Sequence, residues 1–126
     1  MNRRIEKALT NIRALIADEH NWTKGSSARN VYGEVRWAND EDAVCWCLSG
    51  AISKITHHDL NGMSAYFSIQ KAIVQQWLMK QDETDLHFIL PEAIHIPDWN
   101  DRPERTHAEV LDVLDRAIQM EKEPMI

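Results

Sequence analysis

Cysteine is scarce in this chain: two residues in 126, both within the tripeptide Cys45-Trp46-Cys47. Read on a helix, their sulfurs point about 200° apart around the axis, so they cannot share one ion. Nor is their spacing the C-x-x-C of redox sites. They read as small packing residues with free thiols in a reducing compartment. Glycine numbers four, and no G-x-G-x-x-G, P-loop or G-x-S-x-G pattern occurs, so no glycine-rich phosphate cradle is visible. No H-E-x-x-H or H-x-x-x-H pair sets two imidazoles on one helix face. For a metal, that leaves only a composite of Cys47, His107 and a loop histidine. No apolar run approaches transmembrane length, and residues 1–4 pass straight into an amphipathic pattern. The expectation is a soluble cytoplasmic protein with no cofactor, no metal and no membrane partner.

At 126 residues the chain is expected to form one domain, 1–126, with a core that needs no disulfide or metal staple. Apolar (44%) and charged (27%) fractions are both those of an ordinary globular protein. The net charge of −6 is uneven: residues 1–40 sum to +2, 41–80 to zero and 81–126 to −8. The acidic C-terminal third repels phosphate, which argues against nucleic acid as a partner. Arg3, Arg4, Lys7 and Arg13 make a basic N-terminal helix, most simply a solvated face. The five tryptophans, Trp22, Trp37, Trp46, Trp77 and Trp99, lie in different segments and form no repeat.

Periodicity predicts a mainly α fold, a compact bundle of about four helices. Ile5, Ala8, Leu9, Ile12, Leu15 and Ile16 form one stripe and predict a helix over 2–18. Gly25, Ser26, Ser27, Asn30 and Gly33 break the period, so 19–40 reads as a long loop with a possible short hairpin at 31–37. A second helix is expected from Asn39 or Asp40, with Glu41 and Asp42 suited to its positive end. On it Val44, Cys47, Leu48, Ala51 and Ile55 share one face, while Trp46 and Gly50 lie on the other. Gly50 there permits close approach of another segment. Tyr66, Ile69, Ile73 and Trp77 predict a third helix over 64–80. An irregular connection, 81–102, follows, because residues before Pro91 and Pro97 avoid the α region. Thr106-x-x-Glu109 is a capping box that opens a last helix over 106–122, ended by Pro124.

Candidate binding residues cluster before that last helix. Trp99 can bury its ring and anchor the 97–101 loop, and Asn100 and Asp101 can tie down loop amides. His107 projects inward with Leu111 and Leu114. Asn100, Asp101, Arg105 and His107 thus make a polar cluster in a tryptophan-lined recess, or else simply a well-fastened helix start. The 97–101 loop is expected to pack near Gly50, with Asp101 bonded to backbone amides or to Arg29.

Five segments carry a resemblance. Trp22-Thr23-Lys24-Gly25, Ala28-Arg29, Ala43-Val44-Cys45-Trp46-Cys47-Leu48-x-Gly50-Ala51, Ile96-Pro97-x-Trp99-Asn100-Asp101 and Arg105-Thr106-x-x-Glu109-Val110-Leu111 together resemble a family of small bacterial and phage proteins known only as a domain of unknown function. The likeness runs over nearly the whole chain. His57–Gly62 and 81–95 lie outside it. The family commonly has glutamine where this chain has His107, which counts against a catalytic histidine. The resemblance implies no reaction. It does single out loop residues (Trp22, Lys24, Arg29, Trp99, Asn100 and Asp101) that packing alone demands less than core positions. These are expected to converge on one face around Trp46 and Gly50.

The leading expectation is a non-catalytic module binding an unknown protein or small molecule through Trp22, Lys24, Arg29, Trp46, Trp99, Asn100, Asp101, Arg105 and His107. A phage origin would make the interaction host-directed. The alternative is a small enzyme with Asp101 or His107 as general base and Arg29 or Arg105 holding an anion. A third reading is a regulator touching nucleic acid through the first helix, opposed by the −6 charge. The sequence is silent on oligomeric state.

Overall fold

The structure is a computed structural model and describes residues 3–57, 59–80 and 91–123. His58, the 81–90 stretch with its expected extended run at 87–90, and Pro124 lie outside the described residues. Five α-helices and a small sheet are present among them: α1 Arg3–Leu15, α2 Leu48–Thr56, α3 Leu60–Lys80, α4 Ile96–Asn100 and α5 His107–Lys122. The strands are β1 Ala28–Arg29, β2 Val35–Arg36 and β3 Cys45–Trp46, in spatial order β2-β1-β3 and antiparallel throughout. The fold is mainly α and compact. No described helix is long and apolar enough to cross a membrane.

The helices follow the apolar stripes. Leu9 and Ile12 from α1, Ile16 just beyond it, Ile69 from α3 and Val110, Val113 and Leu114 from α5 are fully buried together with Leu48 and Ile96. The Thr106 capping box forms in both directions: Glu109 N–H donates to Thr106 Oγ1 at 3.2 Å, and Thr106 N–H donates to Glu109 Oε1 at 2.9 Å. Asp59 caps the start of α3 in one direction only, accepting from Gly62 N–H at 3.1 Å. That cap starts α3 at Leu60, four residues before the periodicity does.

The second helix corrects the sequence reading most. It begins at Leu48, not at Asn39 or Asp40, and Cys45 and Trp46 lie on a strand. The acidic residues that resemble a helix start are used in the hairpin instead. Asp40 Oδ2 accepts from Trp37 N–H at 2.9 Å, and Asp42 receives the Arg36 guanidinium at 3.0 and 3.1 Å. Once those carboxylates fasten a turn they no longer serve a helix dipole. The actual N-cap is Cys47, whose Sγ accepts from Gly50 N–H at 3.2 Å. Burial pushes the Cys47 thiol up from its ordinary value. The face assignment of Trp46 and Val44 on a helix therefore falls away. The expected 31–37 hairpin exists in part: β1 precedes the turn, and β3 adds a third strand.

Gly50 does permit a close approach, of the Ser27 loop, and α4 packs on α2 as expected, with Asn100 bonded at Leu48. A Cβ there would sit 2.0 Å from the Ser27 carbonyl oxygen, so the glycine seats the loop before β1 on α2. The 97–101 stretch, read as loop, lies in α4 up to its C-cap Asp101, with Pro97 in its first turn. Proline is tolerated there because its missing N–H would have no intrahelical partner.

Candidate functional site

Asn100, at the C-terminal end of α4, is completely buried and uses its whole carboxamide. Its Oδ1 accepts from the Trp22 indole Nε1–H at 2.8 Å and from Leu48 N–H at 3.1 Å. Its Nδ2 donates to the Thr23 carbonyl at 3.1 Å and to Asp101 Oδ1 at 2.9 Å. One side chain thereby ties α4 to the 22–23 segment and to the start of α2. The amide orientation follows from the partners, since an indole N–H only donates and a carbonyl only accepts.

The neighbouring candidates extend this fastening. Asp101 Oδ1 also accepts from Gly25 N–H at 3.0 Å. Lys24 Nζ donates to the carbonyls of Arg102 at 2.7 Å and Pro103 at 3.3 Å, and lies 5.4 Å from the Trp22 ring centroid. Arg29 donates to the carbonyls of Gly33 at 3.1 Å and Lys24 at 3.3 Å. Of the two expected partners for Asp101, the backbone amide is therefore observed. The bonds seen for Arg29 run to carbonyls, which hold both ends of its own loop. Trp46 is buried, and its Nε1–H donates to the Ala38 carbonyl at 2.9 Å. Trp22 and Trp46 meet through an isolated parallel bridge.

His107 is buried, and its Nε2 lies 2.7 Å from the Ile16 carbonyl oxygen. A carbonyl only accepts, so this nitrogen carries a hydrogen. The ring tilts against Trp22, centroids 5.8 Å apart. Its bond clamps the C-terminal side of α1 to the start of α5. Asp101 is bonded to residues 25 and 100, and His107 to residue 16, so the two proposed bases are fastened to different segments. Neither lines the groove described next.

Arg105 and Trp99 stand apart from that network and shape a groove. The Arg105 guanidinium stacks 4.0 Å from the Trp99 ring centroid, its Nε–H donates to the Trp99 carbonyl at 2.9 Å, and Nη1 lies 3.4 Å from Glu109. Burial lowers the Arg105 pKa from its ordinary value, which still leaves it charged near neutrality. Trp99 is half-buried, less than the expected anchor. Its exposed part joins Trp77, Ile73, Val74 and Ile94 around a groove of about 500 Å³ between α3 and the start of α5. Buried Gln76 braces its floor, donating to the Glu109 carbonyl at 3.0 Å and to Asp112 at 2.9 Å.

The nine candidates thus divide. Trp22, Asn100 and Asp101 form one bonded cluster, with Lys24 beside the Trp22 ring and Trp46, Arg29 and His107 at its borders, while Trp99 and Arg105 open on the groove. Trp77 was read from the sequence only as a stripe residue of the third helix. Its helical spacing gives no sign that part of the ring faces a groove. Among the described residues, no three His, Cys, Asp or Glu side chains gather as a metal site.

A profile of a family described as "Family of unknown function (DUF6197)" matches residues 1–120. No curated protein and no solved structure matches the chain.

Proposed function

The chain belongs to that family of unknown function, and from this premise we propose that it is a non-catalytic binding module. The observation that carries the reading is the groove walled by Trp77 and Trp99. It is about 500 Å³, within the size range of ligand pockets, and apolar side chains dominate one wall. Two of its polar groups are preset: Arg105 is locked by Trp99 and Glu109, and Gln76 by the first turns of α5. Locked side chains lose little freedom when a partner docks, so the groove favours binding. The occupant is a small molecule or a short apolar segment of a protein. A phage-encoded copy would direct it at a host protein.

The test is co-purification from the native host, with mass spectrometry of retained metabolites and proteins, on wild type and on Val74→Arg. Val74 lines the groove and is half-exposed, so arginine there obstructs it without opening the core. A molecule retained by wild type and lost from Val74→Arg is the expected result. No retained molecule, or equal retention by both, sinks the reading.

A further inference from the structure

The hairpin around Asn30 has its polarity partly inverted, although Ala28 and Ala38 face the core. Asn30 is buried, whereas Val31 (74% exposed), Tyr32 (84%), Val35 (61%) and Trp37 (79%) face outward. Most hairpins on a small domain do the reverse, keeping the apolar face on the core. The frame beneath is well fastened. Asn30 Oδ1 accepts from the N–H groups of Tyr32 and Glu34, both at 3.0 Å. Its Nδ2 donates to Glu34 at 2.9 Å and to Asp42 at 3.2 Å. Arg36 closes the other side on Asp42. The aromatic residues are displayed on a rigid scaffold, and an exposed apolar patch of this kind marks an interaction surface.

Two features define what fits. Polar groups along β2 are already engaged: the Val35 carbonyl accepts from Arg36 Nη1 at 2.9 Å, and Trp37 N–H is bonded to Asp40. Addition of a partner strand is disfavoured by those bonds, so docking runs through side chains. The rim is acidic. On balance the hairpin carries four carboxylates, Glu34, Asp40, Glu41 and Asp42, against two arginines, with Arg36 paired to Asp42 and Glu34 and Arg29 bonded to backbone carbonyls. Beside Trp37 a cleft of about 630 Å³ opens between Val35, Arg36 and the Gly25–Ser27 loop, with Asp40 at its edge; the Arg36 charge in its wall is met by Asp42 and Glu34. An indole face next to a carboxylate is a receptor for a cationic side chain.

We propose that this hairpin face is a second interaction surface, separate from the Trp77–Trp99 groove, and that it docks a protein segment carrying lysine or arginine beside apolar side chains. The cationic head enters the cleft between Trp37 and Asp40, and the apolar neighbours cover Tyr32, Val31 and Val35. Steering by the acidic rim makes the association weaken with salt.

Isothermal titration with an alternating Lys–Leu peptide, against an alternating Glu–Leu peptide of equal length, tests this on the full chain. The Lys–Leu peptide is expected to bind, with affinity falling as salt rises, while the Glu–Leu peptide does not bind. Tyr32→Ala/Trp37→Ala should weaken binding at least tenfold with an unchanged Tm, since both side chains are exposed. Val74→Arg should bind the peptide as wild type does. No binding by wild type, equal binding of both peptides, or undiminished binding by the double variant would overturn the proposal. So would a wild-type dimer in sedimentation that the double variant abolishes, because the occupant would then be a second copy.

Discussion

The indole Nε1–H of Trp22 donates to Asn100 Oδ1 at 2.8 Å across 78 residues of sequence. The same oxygen accepts from Leu48 N–H, and the amide nitrogen reaches the Thr23 carbonyl. Removal of the side chain strands two donors and an acceptor around a fully buried position. Each unsatisfied buried group costs about 1–3 kcal/mol, and partial relaxation lowers the sum. Asn100→Ala is expected to lose roughly 3 kcal/mol in denaturant unfolding. Asn100→Asp should lose at least as much at neutral pH. It keeps the acceptor, but sets a second carboxylate 2.9 Å from Asp101 and facing the Thr23 carbonyl. A change under about 0.5 kcal/mol in either variant, the range of ordinary surface substitutions, would show that this node does not hold the segments together.

Gly50→Ala should be among the most damaging small changes. The added methyl would lie 2.0 Å from a backbone oxygen and 2.8 Å from the Ser27 carbonyl carbon. Backbone on both sides cannot swing away as a side chain would, so α2 and the 25–28 loop must separate. Overpacking of this kind costs about 1–3 kcal/mol, and this site belongs at the upper end or beyond. Ordinary helix propensity predicts the opposite sign, a gain of nearly 1 kcal/mol for Gly→Ala. Thermal unfolding of the one variant decides between them.

Helix periodicity made α1, α3 and α5 legible, because each buries a stripe regular enough to survive in the sequence. The capping box at Thr106 was legible too, being a local device. The 39–47 region was not. Asp40, Glu41 and Asp42 suit a helix start or a turn equally well, and only the long-range pairing of β3 with β1 decides. The candidate site shows the same division. Asn100 and Asp101 announce a fastened loop, but Trp22, the partner of Asn100, lies too far along the chain for spacing to reveal it. Gly50 signals a close approach without naming Ser27. Asn30 carried no signal beyond breaking a period, although it organises the hairpin.

His107 offers a direct test of structural against chemical importance. Its Nε2 satisfies the Ile16 carbonyl at 2.7 Å, a bond that a glutamine amide can reproduce. His107→Gln is therefore expected to stay within about 1 kcal/mol of wild type, as one near-equivalent hydrogen bond would allow. His107→Ala strands the carbonyl and leaves a gap beside Trp22, for roughly 2–3 kcal/mol. Chemical denaturation of both variants checks the ranking. A glutamine variant as unstable as the alanine one would show that the ring contact with Trp22 outweighs the hydrogen bond.

Acid should loosen the hairpin through Asp42. Hydrogen bonds from Arg36 and then Asn30 hold its carboxyl below the ordinary value of 3.8. A folded-state pKa lower than the unfolded one contributes stability above the unfolded value, and that contribution disappears as pH falls through the depressed one. The Tm gap between wild type and Asp42→Asn should therefore be constant from neutrality down to about pH 4, then narrow. Asp18, also held low by its bonds to His20, is unchanged between the two proteins and cancels in the difference. A gap independent of pH down to pH 2.5 would mean the carboxylate charge does not support the hairpin.

Trp99 decides whether the groove wall is scaffold or surface. Its ring is half-buried against the core, lines the groove together with Ile73, Ile94 and Trp77, and is covered by the Arg105 guanidinium at 4.0 Å. Full burial of such a ring is worth about 3–5 kcal/mol on truncation to alanine. Half of that, together with a stacked cation worth about 0.5–2 kcal/mol, puts Trp99→Ala between about 2 and 4.5 kcal/mol. Arg105→Lys separates the contributions. Lysine retains the charge but not the planar fork, and so loses both the stacking and the directed bond to the Trp99 carbonyl. It should destabilise by about 1 kcal/mol, and by much less in a Trp99→Ala background, because the two share one interaction. Denaturant unfolding of the two singles and the double gives that coupling directly. Additive losses would mean the guanidinium and the ring merely lie close, leaving Trp99 free to turn toward an occupant of the groove.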